Sequence, residues 1–180
     1  MCEELVSAQV FLRELVYDDW VGAHTYASNE LVCKFQPWGP NTEVDSIEFV
    51  NSIIEDAKQV PRTRYVFAVT EMNTNMMIGS GEINIRDISN REGEIAYIIH
   101  PDFWGRGYAT ETAELLIKFG FSHLNLHRIY ATCDPRNIPS SRVLEKLGMV
   151  KEGLLRKDLL IRDGWRDSLI YGLLENEWNN

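Results

Sequence analysis

The apolar positions of this chain recur with two different periods, which predicts a mixed α/β structure. Runs rich in β-branched and aromatic residues predict strands over residues 9–15, 65–70, 77–85, 94–99, 128–133, 153–161 and 167–174. Apolar residues spaced three and four positions apart predict helices that begin near residue 18 and that cover residues 42–59, 109–124 and 137–147. Strands and helices therefore follow one another along the whole chain.

Glycine and proline mark the places where these elements end. Residues 35–40 contain two prolines and a glycine, so they are predicted to form a loop. Gly148 follows the last apolar position of its helix, and Arg162, Asp163 and Gly164 form a hairpin signal between the last two strands. We find no repeat, linker or low-complexity segment. Residues 1–180 are therefore predicted to form one domain.

Composition and charge narrow the class of protein. The chain has 18 Lys and Arg against 27 Asp and Glu, a net charge of −9 at pH 7. This negative charge would repel nucleic acid and attract amines or basic protein tails. In the alternative interpretation, the acidic composition only keeps the protein soluble. No apolar run is as long as a membrane span, the N-terminus lacks the features of a signal peptide, and Cys2, Cys33 and Cys133 are expected to be free thiols. We therefore expect a cytoplasmic protein that binds neither nucleic acid nor membrane.

A glycine-rich turn between the strand at 94–99 and the helix at 109–124 is the strongest candidate for a binding site. Gly105 and Gly107 let the backbone adopt positive φ and approach a ligand closely, and Arg106 adds a charge at the rim. A turn of this kind at a helix N-terminus is a site for phosphate or pyrophosphate. The turn lacks the lysine and spacing of a P-loop, and Thr110 stands where a dinucleotide motif needs its third glycine.

This turn resembles motif A of the GNAT acetyltransferases, [QR]-x-x-G-x-[GA], which cradles the pyrophosphate of acetyl-CoA. Gly107 and Ala109 match its last two defined positions, and Trp104 replaces the usual Gln or Arg, as in the Rim-type branch of ribosomal-protein N-terminal acetyltransferases. Residues 137–149 resemble a second family segment, N-x-x-S-x-x-V-L-E-K-x-G-[FM]. Asn137 alone would be interpreted as a helix cap. The order of predicted elements is similar to the family order as well.

The resemblance implies the α/β GNAT fold: a mostly antiparallel sheet of six to seven strands with splayed central strands, flanked by about four helices. It also implies acetyl-CoA as the cofactor. The strand at 94–99 would pair with the pantetheine arm, with the Ile98 amide as oxyanion donor. The residues implied to bind the cofactor are Ile98, Ile99, His100, Trp104, Gly105, Arg106, Gly107, Tyr108, Ala109, Thr110, Asn137 and Ser140.

Glu82 and Glu94 are the candidates for the general base. Strand alternation places Glu94 on the same face as Ala96 and Ile98, and a carboxylate with apolar neighbours suits a base that works near neutral pH. Both glutamates could instead face solvent at strand ends. The position where many family members have a tyrosine acid is Leu144 here, so Ser140 is the candidate replacement.

Three aromatic residues could form the wall of an acceptor groove, since family acceptors bind between the early helices and the C-terminal hairpin. These are Phe35, Trp38 and Trp165, which could equally belong to the core. His123 and His127 have the spacing of a metal pair, but Asn125 is expected to end the helix between them. We therefore expect no metal site.

The resemblance implies an N-acetyltransferase in which an amine attacks acetyl-CoA directly, because no cysteine matches a catalytic position. The preferred acceptor is a protein N-terminal amine, with a basic ribosomal protein as the leading example. The alternatives are a small amine (a polyamine, an amino acid or an aminoglycoside-like compound) and an acyl-CoA-binding sensor without catalysis. The chain could also form a homo-oligomer, a question that the sequence does not decide.

Overall fold

The structure is a computed structural model that describes residues 5–178. Over these residues the chain forms one sheet of eight strands in the order β1-β2-β3-β4-β5-β6-β8-β7. The strands are β1 Leu5–Val6, β2 Val10–Glu14, β3 Arg64–Glu71, β4 Met77–Asp87, β5 Glu92–Ile99, β6 Arg128–Cys133, β7 Val150–Ile161 and β8 Gly164–Leu174. The helices are α1 Trp20–Ala27, α2 Glu30–Cys33, α3 Glu43–Asp56, α4 Tyr108–Ser122 and α5 Ile138–Lys146.

The sheet separates two apolar layers. Helices α4 and α5 pack on one face, where the core includes Ile95 and Ile99 of β5. Helices α1 and α3 pack on the other face, where Ile98 contacts their smaller core. Side chains of a strand point alternately to the two faces, so each strand that crosses the middle of the sheet contributes to both layers.

The central strands β5 and β6 are parallel and pair only along their first residues. Their register joins Glu92–Glu94 to Arg128–Tyr130, and no pairing continues beyond Glu94. All other neighbouring strands are antiparallel. The predicted fold class is confirmed, including the splayed central strands.

The described residues contain one strand and one helix more than we predicted. Strand β1 has only two residues and pairs with Phe11 and Leu12 of β2. Helix α2 is a single turn in which the Leu31 amide donates to the Asn29 side chain. Neither element is long enough to show a hydrophobic period, which is why the sequence pattern missed both.

Three further predictions concern the whole molecule. Cys33 and Cys133 are free, as predicted, and Cys2 lies outside the described residues. Among residues 5–178, no helix has both the length and the apolar character needed to cross a membrane. Helix α4 ends at Ser122, slightly earlier than predicted, and Asn125 has a φ of 53°, which breaks the helix before His127.

Candidate functional site

A large open cleft lies where β5 and β6 separate, and it has a volume of about 1930 Å³. It runs from the turn before α4, past the end of β5, to the loop that carries Phe35 and Trp38. The structure therefore brings most of the predicted site residues together around one space. Those that line it are Phe35, Trp38, Glu82, Glu94, Ile98, Ile99, Trp104, Gly105, Gly107, Tyr108, Ala109, Thr110, Asn137 and Ser140.

Three predicted site residues lie elsewhere. The imidazole of His100 accepts a hydrogen bond from the Asp102 amide and so caps a short 3₁₀ helix. The Arg106 guanidinium lies over the ring of Phe103, 5.7 Å from its centroid. Trp165 is 62% exposed and borders a separate depression at the hairpin. Its neighbour on β8, Arg166, faces the cleft, so strand alternation turns the Trp165 side chain to the other side of the sheet. Of these three, Trp165 was assigned to the acceptor groove; it does not line the cleft, and its role in acceptor binding stays a prediction.

The turn before α4 leaves open space in front of its backbone. Gly105 and Gly107 have φ angles of 74° and 92°, in the left-handed region that favours glycine. A Cβ at Gly105 would meet no atom within 4 Å, and one at Gly107 would meet only the Gln9 side chain at 3.4 Å. Gly107 is the N-cap of α4, whose first amides have no partner within the helix. The turn could therefore hold an anion such as a phosphate.

The backbone of β5 presents a different set of amides to the cleft from the one we expected. The His100 amide donates to the Ile78 carbonyl of β4, and a Cβ at Gly79 would collide with the Ile98 carbonyl oxygen. The polar backbone groups of Ile98 therefore point to β4, on the same side as those of His100. The assignment of the Ile98 amide as oxyanion donor is wrong. The amides of Tyr97 and Ile99 point into the gap beside β6.

Glu82 and Glu94 lie on the same face of the sheet, but neither has the apolar surroundings that we expected. Glu94 Oε2 accepts from the Arg86 guanidinium at 2.6 and 2.8 Å. Glu82 Oε1 accepts from the Arg64 guanidinium at 3.0 Å and from the Asn84 side-chain Nδ2 at 2.7 Å. Each carboxylate thus keeps its second oxygen outside these bonds. The prediction of apolar surroundings was wrong, because in each case the neighbouring strand supplies an arginine that binds the glutamate.

Helix α5 brings Ser140 next to a tyrosine that the sequence analysis missed. The Tyr97 hydroxyl lies 3.3 Å from Ser140 Oγ, and burial raises the pKa of Tyr97 well above its ordinary value. The alternation of β5 places Tyr97 on the same face as Ile95 and Ile99, so the pattern contained the signal. Asn137 Oδ1 accepts from the Ser140 amide at 3.3 Å, which makes Asn137 a helix cap that also lines the cleft.

The position of the family tyrosine carries no polar group in this chain. Leu144 is 1% exposed and belongs to the core beneath α5. The hydroxyls of Tyr97 and Ser140 therefore stand at this end of the cleft.

A model of the GNAT acetyltransferase domain matches residues 9–150 of the chain. The chain belongs to the GNAT acetyltransferase family. It is 34% identical over 175 residues to the uncharacterized N-acetyltransferase YnaD of Bacillus subtilis, covering 97% of this chain and 99% of that protein. The family enzymes transfer acetyl groups, and this chain is an N-acetyltransferase of that kind.

Two solved structures show the same architecture. A GNAT acetyltransferase from Bacillus anthracis superposes with a TM-score of 0.84 at 33% identity, covering 97% of this chain and all of that one. Spermidine N-acetyltransferase from Vibrio cholerae, solved with CoA and spermine, superposes with a TM-score of 0.83 at 25% identity, covering 97% of this chain and 100% of that chain.

The cofactor of the family is acetyl-CoA, and the residues of the cleft fit it. The turn at Gly105 and Gly107 offers amides and free space where a diphosphate would need both. The unpaired edge of β5 offers the Tyr97 and Ile99 amides to an extended, amide-containing arm. Within residues 5–178 no cluster of three His, Cys, Asp or Glu side chains could hold a metal ion.

Proposed function

We propose that this chain transfers the acetyl group of acetyl-CoA directly to the α-amino group at a peptide or protein N-terminus. The observation that carries the proposal is the continuity of the cleft: one end has the anion-binding turn, and the other has two carboxylates and two aromatic side chains. Such a cleft has room for both substrates at once. The Rim-type branch and the ribosomal-protein acceptor stay predictions of the sequence.

The chemistry divides among the residues of the cleft. The bound thioester supplies the acetyl group. The Tyr97 and Ile99 amides, which face the gap beside β6, would donate to a carbonyl oxygen as it gains charge. Glu94 or Glu82 accepts the proton that the attacking amine loses, through the carboxylate oxygen that the arginine does not use. Ser140, which lines the cleft beside Tyr97, would donate a proton to the thiolate that leaves when the carbon–sulfur bond breaks.

An α-amino acceptor needs less help from these carboxylates to lose its proton than a lysine amine does. Its pKa is about 7.7–8.0, so roughly a tenth of it is already neutral at pH 7. A lysine amine, with a pKa of about 10.4, would need roughly 3.4 kcal/mol more help to lose its proton. Each glutamate forms a salt bridge with an arginine. With an α-amino acceptor, the glutamate would only have to receive the proton that the amine loses on attack.

A small amine is the second candidate, because the structurally similar Vibrio cholerae enzyme is a spermidine N-acetyltransferase. The test measures CoA release with three acceptors: a peptide with a free N-terminus, the same peptide with a blocked N-terminus and a free lysine, and spermidine. We expect release with the first peptide only. Release with spermidine alone would replace the proposed acceptor with a polyamine. Binding of acetyl-CoA without release to any acceptor would indicate a sensor instead.

A further inference from the structure

Arg166 of β8 is a buried cation that the chemistry described above does not use. It is 8% exposed. Its Nη1 donates to the Phe35 carbonyl at 2.6 Å and its Nη2 to Ser168 Oγ at 3.2 Å. Its Nε is buried without a hydrogen-bond partner among the described residues. Buried polar groups nearly always have partners, so this guanidinium calls for an explanation.

The positive charge of Arg166 also lacks a direct counterion. Within residues 5–178 no carboxylate forms a salt bridge with it. Burial opposes ionisation of Asp134, but bonds from Arg136 to both of its oxygens outweigh burial and hold the Asp134 pKa below its ordinary value; Arg166 adds to this only through its nearby charge. A buried charge is costly unless an opposite charge meets it. The Arg166 guanidinium is therefore available to bind an anionic group of a ligand.

Arg166 lies in the acceptor half of the cleft. Residues 166, 168, 170 and 172 of β8 share one face, and Gly172 pairs with Tyr130, which in turn pairs with Glu94. Arg166 thus points to the same side of the sheet as the candidate base. It lines the cleft together with Phe35, whose carbonyl it holds.

The surroundings of Phe35 add positive charge at this spot. Lys34 Nζ lies 5.3 Å from the centroid of the Phe35 ring, and the Arg136 guanidinium lies 5.4 Å from it. Arg136 is paired with Asp134, so Lys34 and Arg166 are the cations beside Phe35 that form no salt bridge within residues 5–178. Their charge favours an anionic group on the ligand at this end of the cleft.

We propose that Arg166 binds a carboxylate of the acceptor, so that the enzyme selects primary amines that also carry a carboxylate. This inference rests on the proposed function. The second hydrogens of Nη1 and Nη2 remain for a carboxylate, whose planar shape matches the guanidinium. Two kinds of acceptor have this chemistry: a peptide whose first residue is Asp or Glu, and a free amino acid.

The experiment compares acceptors that differ only in the carboxylate. One pair is a peptide that begins with Asp and its Asn counterpart; the other is a free amino acid and its amide. For each pair the ratio of the two kcat/KM values is measured in the wild type, in Arg166→Ala and in Arg166→Lys. Arg156→Ala, an exposed arginine on β7, is the control. Because both acceptors meet the same preparation, partial unfolding of a variant does not change the ratio.

We expect the wild type and Arg156→Ala to prefer the carboxylate at least tenfold in one of the two pairs. Arg166→Ala should bring that ratio close to one, and Arg166→Lys should restore part of it. The pair that responds tells whether the acceptor is an acidic N-terminus or a free amino acid. A wild-type ratio near one in both pairs, or a preference that survives in Arg166→Ala, overturns the inference alone. Absence of CoA release with every acceptor overturns the proposed function first.

Discussion

Replacing Gly107 with alanine separates the effect of the turn on folding from its effect on the cofactor. Gly107 has a φ of 92°, and an L-residue in that region costs about 1–2 kcal/mol. For a chain of 180 residues, each kcal/mol lowers the Tm by about 2–4 °C, so we expect a loss of about 2–8 °C. The added Cβ would meet only Gln9, at 3.4 Å, so the fold itself has room for it.

Gly148→Ala is the matched control for this variant. Gly148 also has a positive φ, 78°, and open space where an added methyl group would lie, but it follows α5 and is away from the cleft. Both variants should lose similar amounts of Tm in thermal unfolding. In calorimetric titration with acetyl-CoA, only Gly107→Ala should bind more weakly, by about tenfold, which corresponds to roughly 1.4 kcal/mol. Equal Kd values for the two variants would refute the reasoning that the cofactor approaches this backbone.

Three further predictions concern catalysis, packing and pH. Glu94→Gln should lower kcat more than it changes the KM for the amine; a wild-type pH–rate profile in this variant would remove Glu94 from the role of base. Gly120→Ala should lower the free energy of unfolding in urea by about 1–2 kcal/mol, because its Cβ would lie 2.6 and 2.7 Å from the fully buried Ile129 and Ile83 side chains, an overlap that outweighs the roughly 1 kcal/mol that alanine gains over glycine in a helix; an unchanged midpoint would contradict this. Burial of Asp19 opposes its ionisation, but bonds from Arg13 and the Val16 amide outweigh it and hold the Asp19 pKa below its ordinary value. This contribution to stability is complete above the unfolded pKa of about 3.9 and is lost as pH falls from there through the lower folded pKa, so the urea midpoint of Asp19→Asn should fall less than that of the wild type as pH drops below about 5.

The elements that the sequence predicted are those with a clear period or a marked end. Helix α4 begins at a glycine and buries one apolar stripe, and the hairpin between β7 and β8 turns at Gly164, so each was visible in a single stretch of chain. The turn proposed to bind an anion was also local, because its glycines adjoin the helix that they open. Local patterns of this kind predicted the fold class, and they placed most of the candidate cofactor residues in segments that line one cleft.

Features that depend on partners from distant parts of the chain were not predictable in the same way. The arginines that engage the two candidate bases come from other strands or strand positions, Arg64 for Glu82 and Arg86 for Glu94, and only register brings them together. The direction of the Ile98 amide depends on the pairing of β5 with β4. The burial of Arg166 depends on a loop more than a hundred residues earlier.

The gap between β5 and β6 should make the stability of the folded protein depend on the concentration of acetyl-CoA. The central strands separate after Glu94, so the sheet lacks backbone hydrogen bonds between them beyond that residue. An extended ligand in that gap would pair with the edge of β5 like an added strand. A ligand that binds only the folded form adds about 2.7 kcal/mol of stability at a concentration a hundred times its Kd. Resistance of this protein to proteolysis should therefore rise and fall with the supply of acetyl-CoA, so that the enzyme persists when its donor is abundant.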